Sequence, residues 1–206
     1  MAIVITVAQQ KGGTGKTTLA ANLAAALAPT HKVALLDIDP QHSLTRWNGL
    51  RPQSAAKLGF SDVSGWRVTG ELDRLKSAND IVLIDSPPEV DTDARLAIRG
   101  ANLVLIPVQP SPPDIWAAEG TLKLAAAEKR QAAMVLNRVP ATGKLREVMA
   151  AQLHGDGKPM LKATIGNRTG FASAFAEGLG ITETAPRSIA ANELRALLNE
   201  LLGRIR

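Results

Sequence analysis

Short apolar runs recur along the chain and are separated by longer segments of helical composition. The runs cover residues 2–8, 33–37, 81–84, 103–108 and 133–137, with a weaker one at 161–165. Their apolarity is continuous rather than alternating, which indicates strands buried on both faces of a sheet. We therefore predict a mostly parallel sheet with helices on both faces.

The segments between the runs predict helices at residues 16–28, 93–100, 113–130, 143–153, 170–178 and 189–205. Residues 51–70 carry a weaker signal, which predicts a short helix and a strand around Trp66. In a chain of 206 residues, alternating strands and helices favour one doubly wound α/β domain. We expect no N-terminal helix-turn-helix domain. In such folds ligands bind at the carboxyl ends of the strands.

The segment after the first apolar run has the composition of a phosphate-binding loop. Glycines let consecutive backbone N–H groups turn toward one anion, and the following helix points its positive end at the same place. Lys16 would lie along the β- and γ-phosphates, and Thr17 would offer its hydroxyl to Mg²⁺. Gln10 stands where the standard pattern has its first glycine, and Lys11 heads the loop instead. The loop consists of Lys11, Gly12, Gly13, Thr14, Gly15, Lys16, Thr17 and Thr18.

Carboxylates follow the second and third apolar runs. Asp37 and Asp39 alternate with apolar residues, so the period of a strand puts both on the side that faces the phosphate loop. Asp85 ends the third run. Of the pair, one can hold the Mg²⁺ shell and the other can orient the attacking water, because phosphoryl transfer depends on positioning and charge neutralisation. The alternative for Asp39 and Pro40 is an ordinary turn at the end of a strand.

Composition and charge exclude several kinds of site. The chain has no cysteine, which excludes disulfides, thiolate-bound iron–sulfur clusters and thiolate zinc sites. Its formal charge of +5, from 24 Lys and Arg against 19 Asp and Glu, favours a polyanionic partner, either DNA or an anionic membrane. No run reaches the ~18–20 apolar residues of a membrane span, and no signal peptide pattern is present, so we expect a cytoplasmic protein.

Taken together, these motifs resemble those of the ParA/MinD group of deviant-loop ATPases. The resemblance rests on residues 11–18, 37–41 (DIDPQ), 85–88 (DSPP) and 106–112 (IPVQPSP), and it spans most of the chain. Within the group the chain is more similar to small ParA-type partition ATPases than to MinD, because Ser43 and Trp47 follow the Asp-Pro-Gln segment.

The resemblance implies an enzyme that binds ATP and Mg²⁺ and whose ATP-bound copies pair face to face. Lys11 would reach the phosphates of the partner copy, and Lys16 would serve its own nucleotide. By the same resemblance, Asp39 positions the hydrolytic water, while Asp37 and Asp85 lie nearer the metal. The alternative for Lys11 is a solvated lysine of a surface loop.

Two further positions are assigned by the same resemblance. Asn137 resembles the adenine-facing position of related ATPases, where a carboxamide donates and accepts at once. The alternative is an asparagine that serves a turn at a strand end. Pro107 belongs to the proline-rich segment that lies beside the base and the dimer interface in the family, and rigid segments lose less entropy when they are ordered.

Basic residues near the C-terminal end predict a DNA-facing surface that becomes two-sided in the dimer. Ordinary solvated charge is the alternative for each of them. The candidates are Lys162, Arg168, Arg187 and Arg195.

The last predicted helix has one apolar face, which fits packing on the sheet better than a MinD-like membrane anchor. We therefore expect a nucleoid-associated ParA-type ATPase that binds nonspecific double-stranded DNA. It would position or partition a cargo, with hydrolysis stimulated by an adaptor of ParB type. A MinD-like switch on a membrane surface is the alternative. A small-molecule synthetase of the same superfamily is also compatible with the composition, although no substrate pocket is recognisable.

Overall fold

A computed structural model describes residues 2–88, 92–142 and 157–205. The strands in these ranges are β1 (Ile3–Val7), β2 (Val33–Asp37), β3 (Gly59–Asp62), β4 (Ile81–Asp85), β5 (Leu103–Val108), β6 (Gln131–Val139) and β7 (Met160–Gly166). The helices are α1 (Lys16–Leu27), α2 (Ser43–Leu50), α3 (Arg67–Ala78), α4 (Thr92–Gly100), α5 (Pro112–Ala127), α6 (Thr169–Ala176), α7 (Ile181–Thr184) and α8 (Ile189–Ile205).

The strands form one seven-stranded sheet in the order β3-β2-β4-β1-β5-β6-β7, and each neighbouring pair is parallel. The predicted doubly wound α/β fold is therefore confirmed. On one side of β1 the chain adds β2 and β3 and then inserts β4 between β2 and β1, and on the other side β5, β6 and β7 follow in order. The carboxyl end of β1 is thus the switch point at which ligands bind in this class of fold.

The helices cover both faces of the sheet. One face of the sheet shares a core with α1, α2, α6, α7 and α8. The opposite face is covered by α3, α4 and α5. Helix α1 is rich in alanine and almost entirely buried, because small side chains let it lie close to the sheet and to its neighbouring helices. Leu194, Leu197 and Leu201 of α8 are fully buried, which confirms that this helix packs on the sheet.

The prediction for residues 51–70 was wrong in its placement of the strand. The strand is β3, which pairs with β2 through Gly59 opposite Ala34. Trp66 instead lies in the turn before α3 and is 87% exposed. Helices α2, α3 and α7 were not predicted, and the helix predicted at 143–153 lies outside the described residues.

Strand β7 forms one edge of the sheet, and carboxylates of α8 cover its free N–H groups. The backbone N–H groups of Lys162 and Ala163 donate to Glu200, at 3.0 and 2.9 Å. The N–H of Gly166 donates to Glu193 at 3.0 Å. An edge whose donors are already bonded is protected from pairing with another strand.

The strand register brings aspartates of three neighbouring strands level with one another. Asp62 of β3 is the register partner of Asp37 of β2, which is in turn the partner of Asp85 of β4. Val7, the last residue of β1, is level with Asp85. The loop that leaves β1 and the carboxylates that end β2 and β4 therefore meet at one end of the sheet.

Candidate functional site

The phosphate loop, residues 11–18, connects β1 to α1. Gly13 and Gly15 have φ angles of 78° and 93°, in the left-handed region that glycine adopts without steric cost. A Cβ on Gly15 would lie 2.5 Å from Asn137 Nδ2, so this position has no room for a side chain. Within the described part of the chain no side chain caps the N-terminus of α1, and its first N–H groups are therefore available to an anion.

Most of the predicted loop residues face one open cavity of about 250 Å³, together with Asp39. The predicted residues that line it are Gly12, Gly13, Gly15, Lys16, Thr17, Thr18 and Asp39. Thr14 is buried behind the loop, where its carbonyl accepts a hydrogen bond from Asn137 Nδ2 at 2.7 Å. The cavity has the size and the exposed N–H groups that a chain of phosphates requires.

Lys16 is the first residue of α1 and is almost completely buried. Burial lowers the pKa of its ammonium group, while the carboxylates of Asp85 and Asp39 act in the opposite direction. A cation held in this way, with few contacts to water, is placed to neutralise charge on a bound phosphate.

Asp85 is a fully buried carboxylate. Its oxygens make no hydrogen bond of regular geometry within the described residues, although the Thr17 hydroxyl lies close enough to favour its charged form. Burial raises the pKa of Asp85 to about 8, and the nearby Asp37 and Asp39 carboxylates raise it as well. The Thr17 hydroxyl and the Lys16 ammonium counteract part of this shift. A buried acidic group of this kind is poised to gain a cation or a hydrogen-bond donor from a ligand.

Asp37 is equally buried, but its oxygens are occupied. The backbone N–H and the hydroxyl of Thr45 donate to Oδ2 at 2.9 and 2.7 Å, and the backbone N–H of Asp39 donates to Oδ1 at 3.1 Å. Burial raises the pKa of Asp37, and these hydrogen bonds lower it. Asp37 thus fixes the first turn of α2 and the start of the segment that carries Asp39.

Asp39 lies at the mouth of the site. Its Oδ1 accepts a hydrogen bond from the backbone N–H of Gln41 at 2.9 Å, which holds the turn after β2. Of the two carboxylates expected on the phosphate side, Asp39 lines the cavity beside Lys16 and Thr17, whereas Asp37 is buried behind it. The water-positioning role of Asp39 and the metal-related role of Asp37 stay predictions.

Helix α2 is also held at its far end. The indole N–H of Trp47 donates to the carbonyl of Leu179 at 3.2 Å. The guanidinium of Arg51 binds both carboxylate oxygens of Glu183, at 3.0 and 2.7 Å, and lies over the Trp47 ring. Because α2 follows Asp39 directly, these contacts fix the segment beside the phosphate loop to the layer formed by α6 and α7.

Lys11 pairs with a residue of its own chain. Its Nζ lies 2.5 Å from Oδ2 of Asp114 in the first turn of α5. The Lys11 side chain is 41% exposed, whereas that of Asp114 is 2% exposed. Lys11 is therefore both partly solvated and paired with a carboxylate, and its role toward a partner's phosphates stays a prediction.

A second cavity of about 290 Å³ continues from the loop toward β6, β7 and α6. Asn137, Asn167 and Phe171 contribute to its lining, which offers amide groups and an apolar surface to a base. Asn137 uses its amide N–H on the loop carbonyl of Thr14, so its oxygen remains for a ligand. Pro107 lies within β5, where its carbonyl accepts a hydrogen bond from Gln9, and it lines neither cavity.

The four basic candidates differ in their surroundings. Lys162, Arg187 and Arg195 are exposed, and Arg195 donates to the side chain of Asn192 at 3.0 Å. Arg168 is half-buried, lines the second cavity and forms a bidentate ion pair with Glu193. The sequence groups these four residues only as positive charges near the C-terminal end of the chain. Their contact with DNA stays a prediction.

Several residues of the site were not anticipated. Thr45 and Asp114 contact predicted site residues, and Arg138 lines both cavities from a backbone with a φ of 54°. A signal existed for Asp114, because Ser111 and Asp114 have the spacing of a helix start. The contacts of Thr45 and the conformation of Arg138 depend on the folded chain.

The donor set fits Mg²⁺ that arrives with a nucleotide. Among residues 2–88, 92–142 and 157–205, no group of three His, Cys, Asp or Glu side chains could hold a metal by itself. The orphaned carboxylate of Asp85 and the hydroxyl of Thr17 instead suit an ion that takes its other ligands from phosphates and water. None of the helices in these ranges combines the length and apolarity that crossing a membrane requires.

The family model described as the CobQ/CobB/MinD/ParA nucleotide binding domain matches residues 5–181. The chain is 31% identical to the maintenance of carboxysome distribution protein A of Halothiobacillus neapolitanus over 215 residues, which cover 98% of this chain and 97% of that protein. It is 30% identical to the chromosome-partitioning ATPase Soj of Thermus thermophilus over 241 residues, which cover 98% and 96%.

Solved structures show the same fold. Apo McdA from Cyanothece superposes with a TM-score of 0.82 at 19% identity, covering 98% of this chain and all of that chain. MinD from Pyrococcus horikoshii, complexed with Mg-ADP, gives 0.77 at 19% identity, covering 100% and 99%. The loop geometry, the carboxylates at the neighbouring strand ends and the matched family model agree, and the chain belongs to the CobQ/CobB/MinD/ParA family of nucleotide-binding proteins.

Proposed function

We propose that this protein is a ParA-type ATPase whose ATP-bound dimer binds nonspecific DNA and positions a cargo through adaptor-stimulated hydrolysis. The observation that carries this proposal is the meeting of the phosphate loop, headed by Lys11, with Asp37, Asp39 and Asp85 at the ends of β1, β2 and β4. This arrangement gathers a phosphate loop, a buried lysine and carboxylates, which are kinds of group that phosphoryl transfer from ATP to water uses.

In the proposed reaction each residue acts from the place described above. The loop N–H groups and Lys16 hold the phosphates, and the Thr17 hydroxyl with Asp85 holds the metal shell. Mg²⁺ bound with ATP, held through Thr17 and Asp85, would supply the positive charge that neutralises the phosphates. Asp39, fixed by its turn, orients the water for attack. Asp37 maintains the segment that carries Asp39.

Dimerisation supplies the second cation. Lys11 stands at the head of the loop with 41% of its side chain exposed, so it can reach beyond its own subunit. In the proposed dimer it binds the phosphates of the partner, which makes hydrolysis slow in the monomer. Slow turnover in the absence of an adaptor of ParB type gives the ATP state the lifetime that a switch needs.

The DNA proposal rests on charge. Lys162, Arg187 and Arg195 are exposed, the chain carries a net charge of +5, and two copies in a dimer would double this surface. We place the protein in the cytoplasm, associated with the nucleoid. The names of the two relatives, carboxysome distribution and chromosome partitioning, make a protein assembly and a chromosome the two cargo classes to test first.

One experiment separates this function from a MinD-like membrane switch, which the family model also includes. Binding to random-sequence duplex DNA and to anionic liposomes is measured with ATP, ADP or no nucleotide over a salt series. ATP-dependent DNA binding that weakens steeply with salt supports the proposal. ATP-dependent liposome binding without DNA binding would establish the membrane function instead.

Three variants test the proposed roles. Lys16→Ala should lose nucleotide binding, and Asp39→Ala should bind ATP and dimerise without turning over. Lys11→Ala should reduce adaptor-stimulated hydrolysis. ATPase assays combined with analytical ultracentrifugation give both readouts. Full activity of Asp39→Ala would remove it as the residue that positions water.

A further inference from the structure

Asp114 is a buried carboxylate that the proposed reaction does not use. Its Oδ2 lies 2.5 Å from Lys11 Nζ and 2.5 Å from the hydroxyl of Ser111, the residue that caps α5. Its other oxygen, Oδ1, is buried and has no hydrogen-bond partner within the described residues. A carboxylate in such a place is stabilised by the cation beside it.

Further contacts join the phosphate loop and the two residues before it to α5 and to the segment that precedes α5. Gln9 Nε2 donates to the carbonyl of Asp114 at 3.5 Å, and Gln109 Nε2 donates to the carbonyl of Gly13 at 3.2 Å. Gln10 packs so closely on Gly120 of α5 that a Cβ there would lie 2.1 Å from its amide nitrogen. The ion pair of Lys11 with Asp114 therefore belongs to a docked arrangement of the loop on α5.

We propose that Asp114 is a positioning residue, which holds Lys11 within its own subunit until a nucleotide-bound partner takes it. This inference rests on the proposed function, in which Lys11 binds the phosphates of a second copy. One ammonium group cannot remain 2.5 Å from Asp114 and also reach across an interface. Dimerisation must therefore exchange an ion pair within the chain for one between chains.

The cost of the exchange is reduced because each partner keeps other stabilising contacts. Lys11 is 41% exposed, so water screens the ion pair and keeps its strength modest. After Lys11 leaves, Asp114 still accepts the hydrogen bond of Ser111 and lies in the first turn of a 16-residue helix, where the helix dipole favours a negative charge. Asp114 thereby raises the ATP concentration or the protein concentration at which the dimer forms.

The first test measures dimerisation. In an Asp39→Ala background, which by the proposed function blocks hydrolysis, Asp114→Asn should lower the dimer Kd with ATP–Mg²⁺ about three- to tenfold, the range of a modest ion pair. Adding Lys11→Ala should abolish this gain. Glu119→Gln, which removes an exposed ion pair with Lys158 from the same helix, is the matched control and should change nothing. Weaker dimerisation of Asp114→Asn would overturn the proposal.

The second test needs no dimer. The rate of reductive methylation at Lys11 is measured by mass spectrometry in the nucleotide-free protein, with the exposed Lys57 as the reference. In the wild type, Lys11 should react several-fold more slowly than Lys57, and Asp114→Asn should remove this difference. Equal rates in the wild type would overturn the proposal even if Asp114→Asn failed to fold. If wild-type protein stays monomeric with ATP–Mg²⁺, the proposed function fails, while the methylation rates still decide whether Asp114 holds Lys11.

Discussion

The carboxyl ends of β2 and β4 differ although they carry the same residue at the same level of the sheet. Asp37 and Asp85 are register partners and both are completely buried. Asp37 accepts hydrogen bonds from Thr45 and from the backbone of Asp39, whereas the oxygens of Asp85 make no hydrogen bond of regular geometry with the described residues and have the Thr17 hydroxyl nearby. Equal burial therefore gives one carboxylate that is saturated by its own chain and one that is not, and the metal-related roles of both stay predictions.

The chain that follows each strand explains the difference. After β2 the chain turns back, and the first turn of α2 presents the N–H and hydroxyl of Thr45 to Asp37. After β4 come Pro87 and Pro88, which have no N–H to donate. The hydroxyl of Ser86 is directed to the carbonyl of Val7 instead, at 3.0 Å.

The largest effect should come from replacing the unpartnered carboxylate. We predict that Asp85→Asn lowers Mg²⁺-dependent ATP hydrolysis at least about 100-fold, because the group that holds the metal shell is lost. The nucleotide-free protein should remain folded, since asparagine keeps the shape of the side chain and its oxygen can still accept from the Thr17 hydroxyl. Steady-state hydrolysis over a Mg²⁺ titration, with circular dichroism as the folding control, tests this. Near-normal turnover would show that Asp85 does not serve the metal.

Replacing the partnered carboxylate should instead damage the fold. We predict that Asp37→Ala lowers the free energy of unfolding by about 2–4 kcal/mol, because the donors on Thr45 and Asp39 lose their acceptor inside the protein. Urea denaturation measures the change. Asp62→Ala is the matched control on the neighbouring strand, where the carboxylate is partly exposed, and it should cost under about 1 kcal/mol. Equal losses for the two variants would contradict the comparison.

The comparison also predicts a dependence on pH. Folding raises the pKa of Asp85 from 3.8 to about 8 in the nucleotide-free protein. Between these values the unfolded chain loses the proton and the folded chain keeps it, so stability falls as pH rises, by at most about 1.4 kcal/mol per pH unit. The stabilising contribution of Asp85 is complete below pH 3.8 and is lost above about pH 8. Urea denaturation at pH 5, 6, 7 and 8 should show a shallower decline for Asp85→Asn than for wild type, and parallel curves would refute the shift.

The smallest expected effect comes from the Thr45 hydroxyl, which donates to Asp37 at 2.7 Å and also lies 3.2 Å from Oδ2 of Asp62. Thr45→Val removes the hydroxyl and keeps the backbone N–H, so we predict a loss of about 1 kcal/mol in the free energy of unfolding. Thr45→Ser retains the hydroxyl and should lose less. Chemical denaturation of both variants gives the difference, and a Thr45→Val protein as stable as wild type would show that the backbone contacts suffice.

Features with a local signal were predictable from the sequence. The phosphate loop lies between an apolar strand and an alanine-rich helix. Its glycines predict the turn that the structure has at Gly13 and Gly15. The buried strands likewise follow from continuous apolar runs, because each run must be covered by helices on both faces. Even the bounds of α8 agree with the prediction.

Features that depend on distant residues were missed. Helix α2 has two buried residues, Leu44 and Trp47, and its first turn is capped by Asp37 rather than by a neighbouring side chain. Its sequence therefore lacks both the apolar periodicity and the start signal of a helix. The hydrogen bond from Asn137 to Thr14 joins residues 123 positions apart, so the sequence carried no signal for it, and the predicted contact of Asn137 with a base stays a prediction.

The carboxylates of Glu193 and Glu200 along β7 have a consequence for how copies of this chain can associate. A strand from another molecule would have to displace both side chains before it could hydrogen-bond to this border of the sheet. Continuous sheets that run from subunit to subunit, the route by which exposed strands give fibrils, are therefore blocked on this side. Copies of this protein can therefore touch at the β7 edge without forming a continuous sheet.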